Sequence, residues 1–193
     1  VRHHQTFSAA SEEAPRQLLI QWSKQMTNPR ATSETVLALF ATEGHRFEAR
    51  NLATAAHRAA KFRRGQDLRR DRRMATLAEA CRSRVHEFEP QHLANIAWAF
   101  AKVGIDARAL FNAIADVART QLGKFNSQDL ANTAWAFATA RVEASDFFNA
   151  IADAARSRLT EFNSQDHANT EWAFATVGVA ALEIFNAIAD AAR

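Results

Sequence analysis

Three glutamines and three asparagines carry the first chemical signal in the chain. Gln91, Gln128 and Gln165 stand 37 residues apart, and so do Asn95, Asn132 and Asn169. A carboxamide offers two donors and an acceptor, so a column of amides repeated at one structural spacing can hydrogen-bond successive unstacked bases of a strand. A second signal is electrostatic. Between Lys61 and Arg73 seven basic residues face two acids, a local charge of +5 in a chain whose formal charge is +3. Lys61, Arg63, Arg64, Arg69, Arg70, Arg72 and Arg73 form a candidate phosphate-binding edge, engaging backbone oxygens without reading bases. The same cluster also reads as a solvated connector or as a dock for an acidic protein. Identical amides in every unit cannot tell one base from another, so any sequence preference falls to variable positions: Ile96, Thr133 and Thr170, or Lys102, Thr139 and Thr176. The amides themselves are equally suited to bonding neighbouring helices.

The elements that must position these residues are repeats. FNSQDLANTAWAFAT from Phe125 returns at Phe162 as FNSQDHANTEWAFAT, and stands at Phe88 as FEPQHLANIAWAFAK. Residues 125–156 and 162–193 agree at 24 of 32 positions. A period of this length with two helical segments means stacked helical hairpins. Asn126 is suited to the N-cap and Asp129 to the reciprocal N3 position, while Phe125 and Leu130 form a hydrophobic staple. His167 replaces that apolar staple partner in the next unit, and Pro90 is tolerated at a first helical position. Leu130, Ala134, Trp135, Phe137 and Ala138 mark the buried arc of the first helix, with small residues permitting close approach. On this reading Trp98, Trp135 and Trp172 belong to the inter-helix core rather than to base-stacking plates. Gly104 and Gly178 stop helices.

The expected fold is all-α: a right-handed α-solenoid of stacked helical hairpins with a 37-residue period. Residues 1–15 read as a flexible leader and 16–193 as the solenoid. Within it 16–46 and 47–87 are diverged repeats, 88–124 and 125–161 regular ones, and 162–193 a truncated one. The 47–87 unit follows from overlaying FEARNLATAAHRAAK on FEPQHLANIAWAFAK at a spacing of 41, which sets Thr54 on Asn95, His57 on Trp98 and Lys61 on Lys102. His57 then substitutes for an aromatic residue and has no acidic partner to make it a base. Glu171, at the position of Ala134, is expected at an edge or paired with a base such as Arg141, because an unpaired buried carboxylate costs several kcal/mol.

Catalysis finds no support in the sequence. Asp116, Asp153 and Asp190 recur one repeat apart and fall on successive layers, about ten ångströms from one another, too far for a paired-carboxylate or two-metal site. No glycine-rich phosphate loop is present. Lone Cys81 reads as a small buried residue, and His3 and His4 lack further ligands, so no catalytic residue, metal or cofactor is assigned. No apolar run is long enough to span a membrane. Val1 in place of Met, and a last helix that stops short, read as a piece of a longer protein.

The LANTAWAFAT and LANIAWAFAK segments resemble the helical repeats of algal, oomycete and apicomplexan organellar proteins related to octotricopeptide-repeat factors. They are also similar to the repeat region of a subunit of the trypanosome RNA-editing substrate-binding complex, and more loosely to mitochondrial RNA proteins that end in a RAP domain. LATAAHRAAK, residues 52–61, resembles the degenerate unit that precedes the regular ones. The resemblance implies single-stranded RNA binding in organellar RNA processing, stability, editing or translation, in a chloroplast or mitochondrion, with protein partners in an RNA-processing complex. The residues up to Arg193 include no RAP-like segment, which fits the expectation of a piece of a longer protein. The competing expectation is a protein-binding solenoid scaffold, marked by an exposed apolar patch in place of amides and basic residues.

Overall fold

A computed structural model describes residues 15–62 and 67–178. Among them nine α-helices run in order: α1 (Arg16–Thr27), α2 (Ser33–Glu43), α3 (Ala49–Lys61), α4 (Arg72–Ser83), α5 (Pro90–Val103), α6 (Arg108–Arg119), α7 (Ser127–Thr139), α8 (Ser145–Arg156) and α9 (Ser164–Val177). No strand occurs among the described residues. The odd helices pack side by side in one layer, α3 on α5, α5 on α7 and α7 on α9, and the even helices α4, α6 and α8 form a second. Helices α1 and α2 extend both layers past α3 and α4. The all-helical stack of hairpins expected from the 37-residue register is therefore present. The leader and the second helix of the last repeat lie outside the described residues.

Each odd helix from α3 onward begins at the same joint. A single 3₁₀ turn (Gly44–Arg46, Val85–Glu87, Leu122–Lys124, Leu159–Glu161) delivers a buried phenylalanine, Phe47, Phe88, Phe125 or Phe162, directly before the N-cap. The cap satisfies backbone donors that the first turn leaves unpaired. Asn126 Oδ1 accepts from the Asp129 amide at 2.7 Å and Asp129 Oδ2 accepts from the Asn126 amide at 3.3 Å. Asn163 and Asp166 repeat the exchange, whereas Glu48 with Asn51 and Glu89 with His92 perform it in α3 and α5, the latter with Pro90 in its first turn. His167 keeps the staple in another form, its ring lying 5.6 Å from that of Phe162. At the other end Gly104 and Gly178 adopt the left-handed conformation, with φ of 77° and 67°. Arg141 occupies the equivalent place in α7, at φ 53°, without the freedom that glycine has there.

The layers are held by alanines between odd helices and phenylalanines between layers. Ala56, Ala97 and Ala134 are fully buried, which lets successive backbones approach closely; a larger residue there would overpack the seam by about 1–3 kcal/mol. Glu171 takes the next place in this series but is exposed, so the charge meets solvent at the edge of the described stack. Helices α6 and α8 each seal to the following odd helix through edge-to-face rings, Phe111 on Phe137 at 5.0 Å and Phe148 on Phe174 at 5.5 Å. Arginines close the repeats. Arg158 Nη1 donates to the Phe125 carbonyl at 2.6 Å, and Arg84 Nη1 does the same for Phe47. Cys81 is buried, and burial pushes its thiol well above the ordinary range, in keeping with a structural role.

A candidate nucleic-acid interface

Residues i, i+4, i+7 and i+11 of an α-helix return to one face. In α5 these are Gln91, Asn95, Trp98 and Lys102; in α7, Gln128, Asn132, Trp135 and Thr139; in α9, Gln165, Asn169, Trp172 and Thr176. The 41-residue offset adds Arg50, Thr54, His57 and Lys61 of α3. Every one of these positions is exposed or half-buried. Because the four helices lie side by side, roughly 8–10 Å apart, the stripes align into a sheet of side chains with four columns. Arg50 went unnoticed in the sequence, although the offset that paired His57 with Trp98 pairs it with Gln91.

The two amide columns lie on this face. Gln165 Nε2 donates to Asn169 Oδ1 at 2.9 Å. Among the described residues Asn95 and Asn132 make no side-chain hydrogen bond to a neighbouring helix, so their donors and acceptors are open to a ligand. The third column is aromatic. His57 and Trp98 have ring centroids 5.1 Å apart, and Trp135 and Trp172 6.4 Å apart. Lys102 Nζ lies 4.3 Å from the centre of the Trp98 ring. The tryptophans were expected inside the core; Trp98 and Trp135 do pack against it, but with one side open, and Trp172 is 47% exposed. The buried arc drawn from Leu130 to Ala138 was too wide, since Trp135 lies one turn beyond Asn132 and shares its face. Burial, assisted by Arg58, Lys61 and Lys102, lowers the His57 pKa to about 4, so it serves at neutral pH as an uncharged ring.

Three of the proposed variable contacts are misplaced. Ile96, Thr133 and Thr170 are buried at 0%, 0% and 1%, and Thr170 Oγ1 donates to the Asp166 carbonyl at 2.8 Å. One residue beyond each asparagine is a rotation of about 100°, enough to carry the side chain from the open face into a helix seam. The other variable set, Lys102, Thr139 and Thr176, remains as the fourth column of the face.

The basic connector is divided. Arg63 and Arg64 lie outside the described residues. Arg69 Nε donates to Asp67 at 2.9 Å, and Arg73 forks between Asp71 at 2.7 Å and Glu34 of α2 at 2.7 and 2.8 Å. These pairs hold the Asp67, Asp71 and Glu34 carboxyls below their usual range through the arginine hydrogen bonds. Arg69 and Arg73 are thus paired with neighbouring carboxylates at the surface, while Arg70 and Arg72 are exposed. A Cβ built on Gly104 would sit 3.6 Å from Arg69 Cδ, so the connector passes the C-terminal end of α5, the end at which Lys61 and Lys102 stand.

Charge separates the two layers. On the even helices Glu79 pairs with Arg82 at 2.6 Å, Asp116 with Arg119 at 3.5 Å and Asp153 with Arg156 at 2.8 Å, each one turn apart. The aspartates recurring in the sequence are therefore rungs of a self-neutralising ladder; Asp190 lies outside the described residues. The four columns of the odd layer contain Arg50, Lys61 and Lys102 and no acid. No helix among the described residues is long and apolar enough to cross a membrane.

A family model described as RNA-editing substrate-binding complex 6 protein matches residues 21–193. No curated protein matches the chain significantly. The match agrees with the part of the resemblance that pointed to a subunit of an RNA-editing substrate-binding complex.

Proposed function

The chain belongs to the family of RNA-editing substrate-binding complex 6 proteins, and from that membership we propose that the open face of its odd helices binds single-stranded RNA in organellar RNA processing. One observation carries this reading: amides, half-open aromatic rings and cations are aligned on a single face whose four columns hold no acid, opposite a layer whose charges cancel. Each component has a task. The rings of Trp98, Trp135 and Trp172 offer flat surfaces for unstacked bases, worth about 1–3 kcal/mol per base where stacking is complete. The amides beside them reach base edges. Lys61, Lys102, Arg70 and Arg72 supply phosphate contacts at the C-terminal end of the rows. A duplex presents its bases already stacked and paired, so a single strand is the better ligand. Because the amide and ring columns hardly change between rows, the face tolerates many sequences, and the Lys102, Thr139, Thr176 column grades its charge. The broader kinship with octotricopeptide-repeat proteins and a mitochondrial or chloroplast setting fit the same reading. Protein partners within the complex would use the remaining surface.

A scaffold for proteins alone would need a contiguous apolar patch. Among the described residues Ile20 and Trp172 are the large apolar side chains left exposed, and they stand on the first and last odd helices.

The test is a salt titration of binding to labelled single-stranded and duplex RNA by fluorescence anisotropy. Replacing Lys61, Arg70 and Arg72 with glutamine should weaken all sequences alike and flatten the salt dependence by up to about 0.7 slope units per lost contact. Asn132→Ala with Asn169→Ala should weaken binding and leave that slope nearly unchanged. Absence of binding to either RNA below about 10 μM near 0.1 M salt, a range that even non-specific binders reach, would overturn the proposal.

A further inference from the structure

Where α1 meets α3 the odd layer opens. Helix α1 packs on α3 less extensively than the later odd helices pack on one another, and a cleft of about 610 Å³ lies between α1, α3 and the start of α5. That volume falls among those of small-ligand sites, roughly 300–1,000 Å³. The cleft is continuous with the open face, since Arg50, Thr54, His57, Gln91 and Asn95 line it. Its far wall is α1, which contributes Arg16 and Lys24 and the apolar Leu19 and Ile20. Arg58 completes the cationic set, and Glu48 is the one acid in the lining. Asn51 fixes the wall: its Nδ2 donates to the Leu19 carbonyl at 3.1 Å and to Ser23 Oγ at 3.0 Å.

We infer that this cleft holds the end of the RNA strand, taking a terminal nucleotide through its phosphomonoester. The inference rests on the RNA-binding reading of the open face and adds to it a position and a chemical group. Two features carry it. The cleft stands at the α3 edge of the four columns with α1 as its far wall, so a strand laid across the rows from α9 to α3 reaches it. Its charge also exceeds what an internal linkage needs: four cations against one acid. A phosphodiester carries a single negative charge, whereas a phosphomonoester carries about 1.5 to 2 near neutral pH and presents three acceptor oxygens. Arginine forks match those oxygens in pairs. Leu19 and Ile20 then supply an apolar surface for the terminal base.

The test compares one labelled oligoribonucleotide in three forms, with hydroxyls at both ends, with a 5′-phosphate and with a 3′-phosphate, on the full chain. A phosphate at one of the two ends should tighten binding about tenfold, the effect of one charge-assisted hydrogen bond. Arg16→Gln with Lys24→Gln, both exposed and outside the four columns, should abolish that advantage while leaving the hydroxyl-ended strand unaffected. Equal binding of all three forms overturns the cleft assignment and leaves the open-face reading standing. An advantage that survives the α1 substitutions overturns it as well. Absence of binding by every form removes both readings together. Adenosine monophosphate as competitor separates capture of a free nucleotide from capture of a strand end: it should displace the phosphorylated strand far less well than an unlabelled copy does, and equal potency would refute the strand-end assignment.

Discussion

Asn51 does two jobs in opposite directions, and substituting it should separate them. Its Oδ1 accepts from the Glu48 amide at 3.3 Å as part of the α3 cap, and its Nδ2 holds α1 through Leu19 and Ser23. The side chain is 2% exposed, so neither bond is exchanged for water. Loss of a capping group costs about 0.5–2 kcal/mol, and each buried hydrogen bond contributes about 0.5–1.5 kcal/mol. Asn51→Ala should therefore destabilise the chain by roughly 2–4 kcal/mol. Asn51→Asp keeps the acceptor, as Asp129 and Asp166 do in α7 and α9, but replaces the donor with an oxygen facing the Leu19 carbonyl. It should spare the α3 cap and release α1. Urea unfolding gives the total, and amide hydrogen exchange gives the place: in Asn51→Asp the α1 amides should exchange much faster while those of α7 follow global stability. Unchanged α1 protection in that variant, or a loss below about 1 kcal/mol in Asn51→Ala, would show that apolar packing by Trp22 and Met26 holds α1 and that the asparagine is incidental.

Arg141→Gly should stabilise the chain by about 0.5–1 kcal/mol, because it relieves a left-handed residue where Gly104 and Gly178 stand in α5 and α9; a thermal midpoint raised by about 2–4 °C is the readout, and a lowered one refutes the reading. His57→Trp should flatten the acid dependence of stability. The unfolded histidine takes a proton near 6.5 and the folded one only near 4, so the unfolded chain binds more protons and stability falls as pH drops between these values. His92 is also shifted downward by burial, so part of the slope persists; an unchanged profile in urea titrations at several pH values counts against the His57 assignment. Glu171→Ala should change thermal stability by less than about 0.5 kcal/mol, as expected of an exposed site; a large loss would reveal a charge partner.

The repeat made the architecture legible because a register of 37 residues fixes every joint at once: caps at Asn126 and Asn163, buried phenylalanines before them, and left-handed stops at Gly104, Arg141 and Gly178. Rotation about the helix axis was harder. These helices are rich in alanine, which fits equally at a seam or beside an open face, so the boundary of the buried arc could not be drawn to within one residue. Ile96, Thr133 and Thr170 fell on the wrong side of it, and Trp172 was placed too far inward. The pairing within the connector was hidden for another reason. Asp67 and Asp71 precede their arginines by two residues, a loop spacing that no helical pattern flags, and Glu34 comes from 39 residues away. The α1–α3 cleft was invisible because α1 lacks the repeat motif, and only three-dimensional packing reveals what it leaves uncovered.

The fourth column offers a test by gain rather than loss. It reads Lys61, Lys102, Thr139 and Thr176 from α3 to α9, so positive charge ends halfway across the face. Lys102 shows how a lysine sits there, with its ammonium 4.3 Å from the ring centre of the tryptophan one turn before it. Trp172 stands in the same relation to Thr176, and Thr176 is exposed, so Thr176→Lys introduces a cation without disturbing the core. If the strand crosses all four rows, the new ammonium gains a phosphate, and the slope of log affinity against log salt should steepen by up to about 0.7 units. Affinity for single-stranded RNA should rise at low salt and converge on that of the parent protein as salt increases. Duplex RNA should gain less, because it cannot lay its bases against the rings while presenting its backbone to the column. Thr139→Lys should act in the same sense on α7, with a smaller gain because the Thr139 hydroxyl is already buried. Combined, the two changes should add, their sites lying one repeat apart on separate helices. A slope unchanged in Thr176→Lys would confine the strand to the rows of α3, α5 and α7, and an unchanged slope in both variants would remove the fourth column from the interface altogether.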